Sequence, residues 1–117
     1  MLRSVNRMRR STDFATVVRT GARARRGNLV VHHLPALTAD SVPLIGFVVG
    51  KPVGTSVVRH RVTRRLRAQL AERVDVLPNG SGTVVRALPG AADSSSAQFG
   101  TDLDAAIAQV VRAGVRR

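Results

Sequence analysis

Five apolar residues, Val58, Val62, Leu66, Leu70 and Val74, recur at every fourth position through a stretch that also carries Arg59, Arg61, Arg64, Arg65, Arg67 and Arg73. A step of four lies close to the 3.6-residue turn of an α-helix, so these side chains trace one stripe down a helix of about five turns. That stripe has to be buried against another layer, and no other pattern in the chain is as long. The same geometry places Arg61, Arg64 and Arg65 on the opposite third of the cylinder, so one helix would both enter a core and present a row of guanidinium groups. A solvated helix face is the plainer reading of a charge run. Here acids are nearly absent, since Glu72 and Asp75 come only at the end, and most of these arginines lack an i, i+4 partner.

The rest of the chain supplies partners for the stripe. Ser11 and Thr12 precede Asp13 and Phe14, and Phe14, Val17 and Val18 repeat at helical spacing before Gly21, which reads as a short amphipathic helix with a glycine stop. After a basic connection at 23–26, residues 28–34 (NLVVHHL) and 44–49 (LIGFVV) are rich in β-formers and are expected to pair antiparallel. Gly50, Pro52 and Gly54 break the pattern ahead of the arginine helix, whose N-terminus Thr55 or Ser56 can cap. Pro78, Asn79, Gly80 and Gly82 end that helix, and 83–87 (TVVRA) reads as a third strand. A small polar loop at 90–97 leads to Thr101, Asp102, Leu103 and Asp104, read as the capping box of a last helix with Leu103, Ile107, Val110 and Val111 on its apolar face. The order helix, strand, strand, helix, strand, helix implies an α+β sandwich of a small sheet with helices. The length suits a single domain over 1–117, with a basic arm at 1–10 and a basic tail at 112–117.

Charge narrows the partner. Lysine and arginine number 19 against seven acids, a formal charge of +12 on 117 residues. Eight arginines lie between Arg3 and Arg26, six between Arg59 and Arg73, and Lys51 is the one cation between these clusters. Such a surplus favours a polyanion, because each phosphate neutralised releases a counterion. An apolar content of 44% excludes wholesale disorder, while 3% aromatics leaves few rings for stacking on bases. The absence of cysteine removes disulfides, thiolate metal sites and a cysteine nucleophile. No apolar run approaches the roughly 20 residues that span a bilayer, and the expected location is the cytoplasm.

Chemistry on the chain itself is not expected. The acids are scattered over Asp13, Asp40, Glu72, Asp75, Asp93, Asp102 and Asp104, with no paired spacing that would hold two metals. His32 and His33 are adjacent in a strand, so they leave opposite faces and do not chelate one ion. One is expected in the core or at its edge and the other at the surface. Lys51, bracketed by glycines, lacks the Gly-Lys-Ser/Thr triplet that opens the helix of a nucleotide-binding loop. No catalytic residue and no metal ligand set is therefore assigned to the polypeptide.

Three blocks, RMRRSTDFATVVRTG, IGFVVGKPVGTSVVRHRVTRRLR and TVVRALPG, together resemble the bacterial ribonuclease P protein subunit over nearly the whole chain. That family is marked by an Arg-Asn-Arg motif after a Val-Gly-x-Ala-Val-like turn, and Arg59-His60-Arg61 follows Val53-Gly54-Thr55-Ser56-Val57-Val58 here. The resemblance implies a ribosomal-protein-like α-β sandwich with a four-stranded mixed sheet, order α-β-β-(β)-α-β-α, and a left-handed crossover. The fourth strand would come from splitting 22–34. It also implies a subunit that joins a catalytic RNA to remove the 5′ leader of precursor tRNA, with Mg2+ bound mainly by the RNA and none by the protein alone. The implied partners are that RNA and precursor tRNA, with no membrane and no further protein. Carried over by position, contacts to the catalytic RNA fall on Lys51, Arg59, His60, Arg61, Arg64, Arg65 and Arg67, and contacts to the leader on Phe14, Val18, His32, Phe47 and Val49. Phe14 reads equally well as a core residue of the first helix. His60 stands where the family usually has Asn, Thr63 where it often has a basic residue, and Val18 and His32 where aromatics are common. These changes imply less base stacking and more reliance on charge. A ribosomal protein or general RNA chaperone is the chief alternative and a nucleoid DNA binder the third, and charge alone does not separate them.

Overall fold

The structure, a computed structural model, describes residues 2–115. Its regular elements run α1 (Ser11–Thr20), β1 (Ala22–Arg26), β2 (Leu29–Leu34), β3 (Leu44–Val48), α2 (Ser56–Ala71), β4 (Gly82–Ala87) and α3 (Ser96–Val115), with 3-10 turns at Ser4–Asn6, Lys51–Val53, Val74–Val76 and Pro89–Asp93. The strands form one sheet in the order β1-β2-β4-β3. β2 is antiparallel to both β1 and β4, whereas β3 and β4 are parallel. The expected pairing of 28–34 with 44–49 therefore does not occur. A parallel pair needs a crossover, and α2 carries the chain back so that β4 can insert between the two. The stretch 23–26, expected as a connection, belongs to β1. Ala22 and Ala24 are buried while Arg23 and Arg25 are exposed, an alternation of period two. Gly27, at φ +56°, turns β1 into β2 in two residues, with glycine first as the tight hairpin turn requires.

Alternation commits the two faces of the sheet to different layers. Leu29, Val31, Val85 and Ala87 meet Val62, Leu66 and Leu70 of α2 and Phe99, Leu103 and Ile107 of α3 in the main core. On the other face Val84 packs with Met8 and Val17, joined by Phe14, Leu34, Leu37 and Leu44. α1 comes this close because two strand positions carry no side chain. A Cβ on Gly46 would fall into the Phe14 ring, and one on Gly82 would meet Val17 and Leu37. The sheet is thus covered by α1 on one side and by α2 and α3 on the other.

Element ends depart from expectation where local signals mislead. α2 begins as expected, with the Val58 N–H donating to Thr55 Oγ1 at 3.4 Å, but stops at Ala71 and leaves Val74 in a separate 3-10 turn. α3 starts at Ser96 rather than at Thr101. Ser95 Oγ accepts from the Gln98 N–H, and the Thr101 hydroxyl donates back to Ala97 O inside the helix. Gly100 is buried within α3, where its missing side chain admits Gln69 and Arg73 of α2. Residues 2–8 do not project as an arm. Leu2 and Met8 are buried, Asn6 Nδ2 donates to Pro43 O at 3.0 Å, and the Met8 N–H donates to Ile45 O at 2.8 Å along the outer edge of β3. Of the expected basic tail, Arg112 lies on α3, while Arg116 and Arg117 fall outside the described residues.

Both strand histidines are buried, which corrects the expectation that one faces solvent, because β2 is an inner strand with cover on each side. His33 Nδ1 is hydrogen-bonded with Thr83 Oγ1 at 2.9 Å, and burial pushes its pKa down to about 4. The unfolded chain protonates this ring near 6.5, so between these values it binds more protons than the folded state, and stability falls as the pH drops. Urea midpoints should be level above about pH 6.5 and decline toward pH 4, with up to about 3 kcal/mol at stake. A His33→Gln variant should show a shallower decline. An equal decline in the variant would mean that this imidazole does not carry the effect.

Candidate nucleic-acid interface

The arginines of α2 divide into two rows by what their side chains touch. Arg61, Arg65, Gln69 and Arg73 follow one another at intervals of four and lie along one flank. Arg61 Nη2 donates to Ala92 O at 3.1 Å, Arg65 Nη1 to Ser94 O at 2.9 Å, and Gln69 Nε2 to Ser96 Oγ at 2.8 Å. Arg73 Nε donates to Asp104 Oδ1 at 2.7 Å and its Nη2 to Gly100 O at 3.3 Å. The Arg73 guanidinium hydrogen bond holds the Asp104 carboxyl below the usual carboxylate range. This row stitches α2 to the 89–96 segment and to the first turns of α3. It corrects the placement of Arg61 and Arg65 opposite the apolar stripe. They are half-buried because the segment read as a loose loop covers that flank and offers its free carbonyls.

Arg64 and His60 face outward, and Arg59 and Arg67 lie half-buried on the other flank. None of these four side chains has a hydrogen bond or ion pair among the described residues, and the Nε atoms of Arg59 and Arg67 are buried without a partner. Arg59, His60, Ser56 and Thr63 line a shallow pocket of about 230 Å³ with Val49. Arg67 faces Phe14, Phe47, Arg7 and Arg9 across a groove of about 350 Å³ that runs over the β3 edge. Lys51 is exposed in the turn leading to α2. Among the described residues both salt bridges belong to Arg73, with Asp104 and Glu72, so every other cation is left without an internal carboxylate.

A second cationic surface lies on the α1 side of the sheet. Arg23 is directly opposite His32 and Arg25 opposite Val30, while Arg86 stands opposite Val30 on the other side and opposite Val48 of β3. Side chains directly opposite share a face, so Arg23, His32, Arg25, Arg86 and Val48 all emerge with α1. His32 is 5% exposed, and its pKa is lowered by burial first and then by the charges of Arg23 and Arg86. Phe14 and Val18 sit on α1 beside this strip, Val18 being 40% exposed. The structure thus brings Phe14, Val18 and His32 to one face. It does not bring Phe47 and Val49 there, because alternation turns them toward the α2 and α3 core, and they reach Phe14 only around the strand edge. Arg23, Arg25 and Arg86 were missed by the sequence reading. Their signal was an arginine set between two apolar strand residues, as in Ala22-Arg23-Ala24 and Val85-Arg86-Ala87.

Among the described residues no three His, Cys, Asp or Glu side chains converge as a metal site. No helix is long and apolar enough to cross a membrane. The family model described as Ribonuclease P matches residues 2–111. The chain belongs to the ribonuclease P protein family. It is 50% identical to the ribonuclease P protein component of Streptomyces avermitilis over 99% of this chain and 100% of that protein, and 50% identical to that of Salinispora tropica over 92% of each. The fold is that of the ribonuclease P proteins of Staphylococcus aureus (TM-score 0.77, 22% identity, covering 90% of this chain and 96% of that one) and Thermotoga maritima (TM-score 0.73, 19% identity, 91% and 96%). Membership of the ribonuclease P family over nearly the full length does not favour the ribosomal-protein or chaperone alternative.

The two rows of α2 should separate experimentally. Arg64→Ala should make the log K against log salt slope for a structured RNA shallower by about 1, at unchanged stability. Arg73→Ala should leave the slope unchanged and cost about 1–2 kcal/mol of stability. Salt titrations beside urea melts check this, and the reverse assignment of effects would contradict the division.

Proposed function

We propose that the chain is the RNA-binding subunit of a ribonuclease P holoenzyme that removes the 5′ leader of precursor tRNA, and that hydrolysis belongs to the RNA. The observation that carries this reading is the family match over residues 2–111 joined to two cationic surfaces with almost no internal carboxylate partners. The outward side of α2, with Lys51, Arg59, His60, Arg64 and Arg67, docks on the catalytic RNA, and Arg61 and Arg65 contribute the N–H groups left over from their bonds to Ala92 and Ser94. Guanidinium groups stay charged at any accessible pH and meet phosphates in pairs of hydrogen bonds, which suits a fixed surface against a folded RNA. The α1 face, with Phe14, Val18 and His32 beside Arg23 and Arg86, takes the leader. The precursor has a leader and the mature product does not, so a leader site tightens substrate over product and favours release.

No cluster of three His, Cys, Asp or Glu donors converges among the described residues, and we assign Mg2+ to the RNA. The protein adds binding free energy and position. We place the subunit in the cytoplasm, where precursor tRNA is made, with no further protein required. Reconstitution tests the reading. Adding the chain to its ribonuclease P RNA at low magnesium should speed leader removal by about tenfold or more, equivalent to at least about 1.4 kcal/mol of transition-state stabilisation. Unchanged cleavage, together with retention of ribosomal RNA in pull-downs, would overturn it.

A further inference from the structure

His32 poses a problem that the fold does not solve. It is buried to 95%, and neither ring nitrogen has a hydrogen-bond partner. His33, its neighbour, meets Thr83 through Nδ1 while its Nε2 has no partner, so of the two buried imidazoles only His32 has both nitrogens unpartnered. An unpartnered polar group at this depth calls for a reason. The surroundings supply one. Arg23 of β1 stands directly opposite His32, and Arg86 lies two residues beyond Val84, its partner on β4, which is the diagonal neighbour position. Both arginines are exposed and neither has an internal partner among the described residues. Two exposed guanidinium groups therefore flank a buried imidazole, and among the described residues no carboxylate pairs with them. The charges acting on the ring are those of Arg23 and Arg86; Asp13 and Arg19, the titratable groups of α1 over this face, are not among them.

We infer that Arg23, His32 and Arg86 form a clasp for one phosphodiester of single-stranded RNA, and that the imidazole takes up a proton from solvent when the phosphate enters. The inference rests on the α1 face being the leader site and assigns that site its chemistry. Without a phosphate the ring sits between two cations and away from water, so its neutral form is favoured, as the lowered pKa reflects. A phosphate between the arginines cancels their repulsion and accepts a hydrogen bond from the ring, and the charged form then becomes the better donor. The neutral ring still donates one N–H, so binding persists at high pH and strengthens on acidification. One proton taken up raises affinity by at most tenfold for each pH unit below the raised pKa of the complex. The clasp reads the phosphate and not the base, consistent with a strip that offers arginines, valines and one imidazole in place of aromatic platforms.

The test compares precursor tRNA with leaderless tRNA, binding both to the reconstituted holoenzyme between about pH 8 and about pH 6. The expected result is a leader contribution, the ratio of the two affinities, that grows about three- to tenfold on acidification. His32→Gln should abolish that growth, Arg86→Gln should lower the ratio by about tenfold throughout, and one neutral methylphosphonate at the right leader linkage should do both. Arg86 is exposed, so that variant folds normally. A leader contribution that is present but independent of pH and of His32 overturns the clasp and leaves the leader site standing. No leader contribution at any pH overturns both. Equal losses for leaderless tRNA would place the phosphate on the catalytic RNA and overturn the assignment to the leader.

Discussion

β4 is hydrogen-bonded to a strand on each edge and lies in a sheet covered on both faces, so each of its side chains is committed to one layer or the other. Val85 and Ala87 go to the core beneath α2 and α3, Val84 goes beneath α1, and Arg86 emerges on the α1 side at its open end. A slip of one residue would reverse every one of these assignments and drive the Arg86 guanidinium into an apolar core, which costs several kcal/mol for an unpaired charge. The register is therefore held by the same alternation that separates the two cationic surfaces. One looks out from α2, the other from the strip beside α1, and the sheet stands between them.

A chain with twelve surplus positive charges repels itself, and the fold answers with packing more than with ion pairs. Arg61 and Arg65 are spent on backbone carbonyls and Arg73 on Asp104, which ties α2 to α3 and to the segment before it. Two glycines, Gly46 and Gly82, let α1 reach the opposite face. Among the described residues, Arg59, Arg64 and Arg67 on one surface and Arg23, Arg25 and Arg86 on the other are among those without an internal partner, and helices and strands hold them at fixed spacing. A polyanion that engages these groups relieves their repulsion and stabilises the folded state by mass action.

Much of this was legible in the residues. The stripe Val58, Val62, Leu66, Leu70 gave α2, and Phe14, Val17 and Gly21 gave α1 with its stop, because both depend on local period and punctuation. Strand partners were not legible: pairing 28–34 with 44–49 looked natural from their proximity in sequence, whereas the partner of both, β4, arrives only after α2. The Ala-Arg alternation of β1 was hidden by its charge, since three basic residues in five read as a connection until the buried alanines are seen. The start of α3 at Ser96 was hidden behind the capping pattern at Thr101, because nothing local announces that Gly100 lies inside the helix to leave space for α2. In the candidate site, the resemblance supplied positions but not faces. Phe47 and Val49 were grouped with Phe14, and only the register shows that they turn the other way, while the charges that share the face of His32, Arg23 and Arg86, come from strands far apart in sequence.

On the proposed function, one sheet holds two RNA-facing surfaces apart. The chain has no cysteine, so Arg64→Cys and Arg86→Cys can each carry a single photo-crosslinker. In the holoenzyme bound to leader-labelled precursor tRNA, the probe at position 64 should attach to the ribonuclease P RNA and the probe at position 86 to the leader. Attachment of both probes to the same RNA, or an exchange of their targets, would contradict the account.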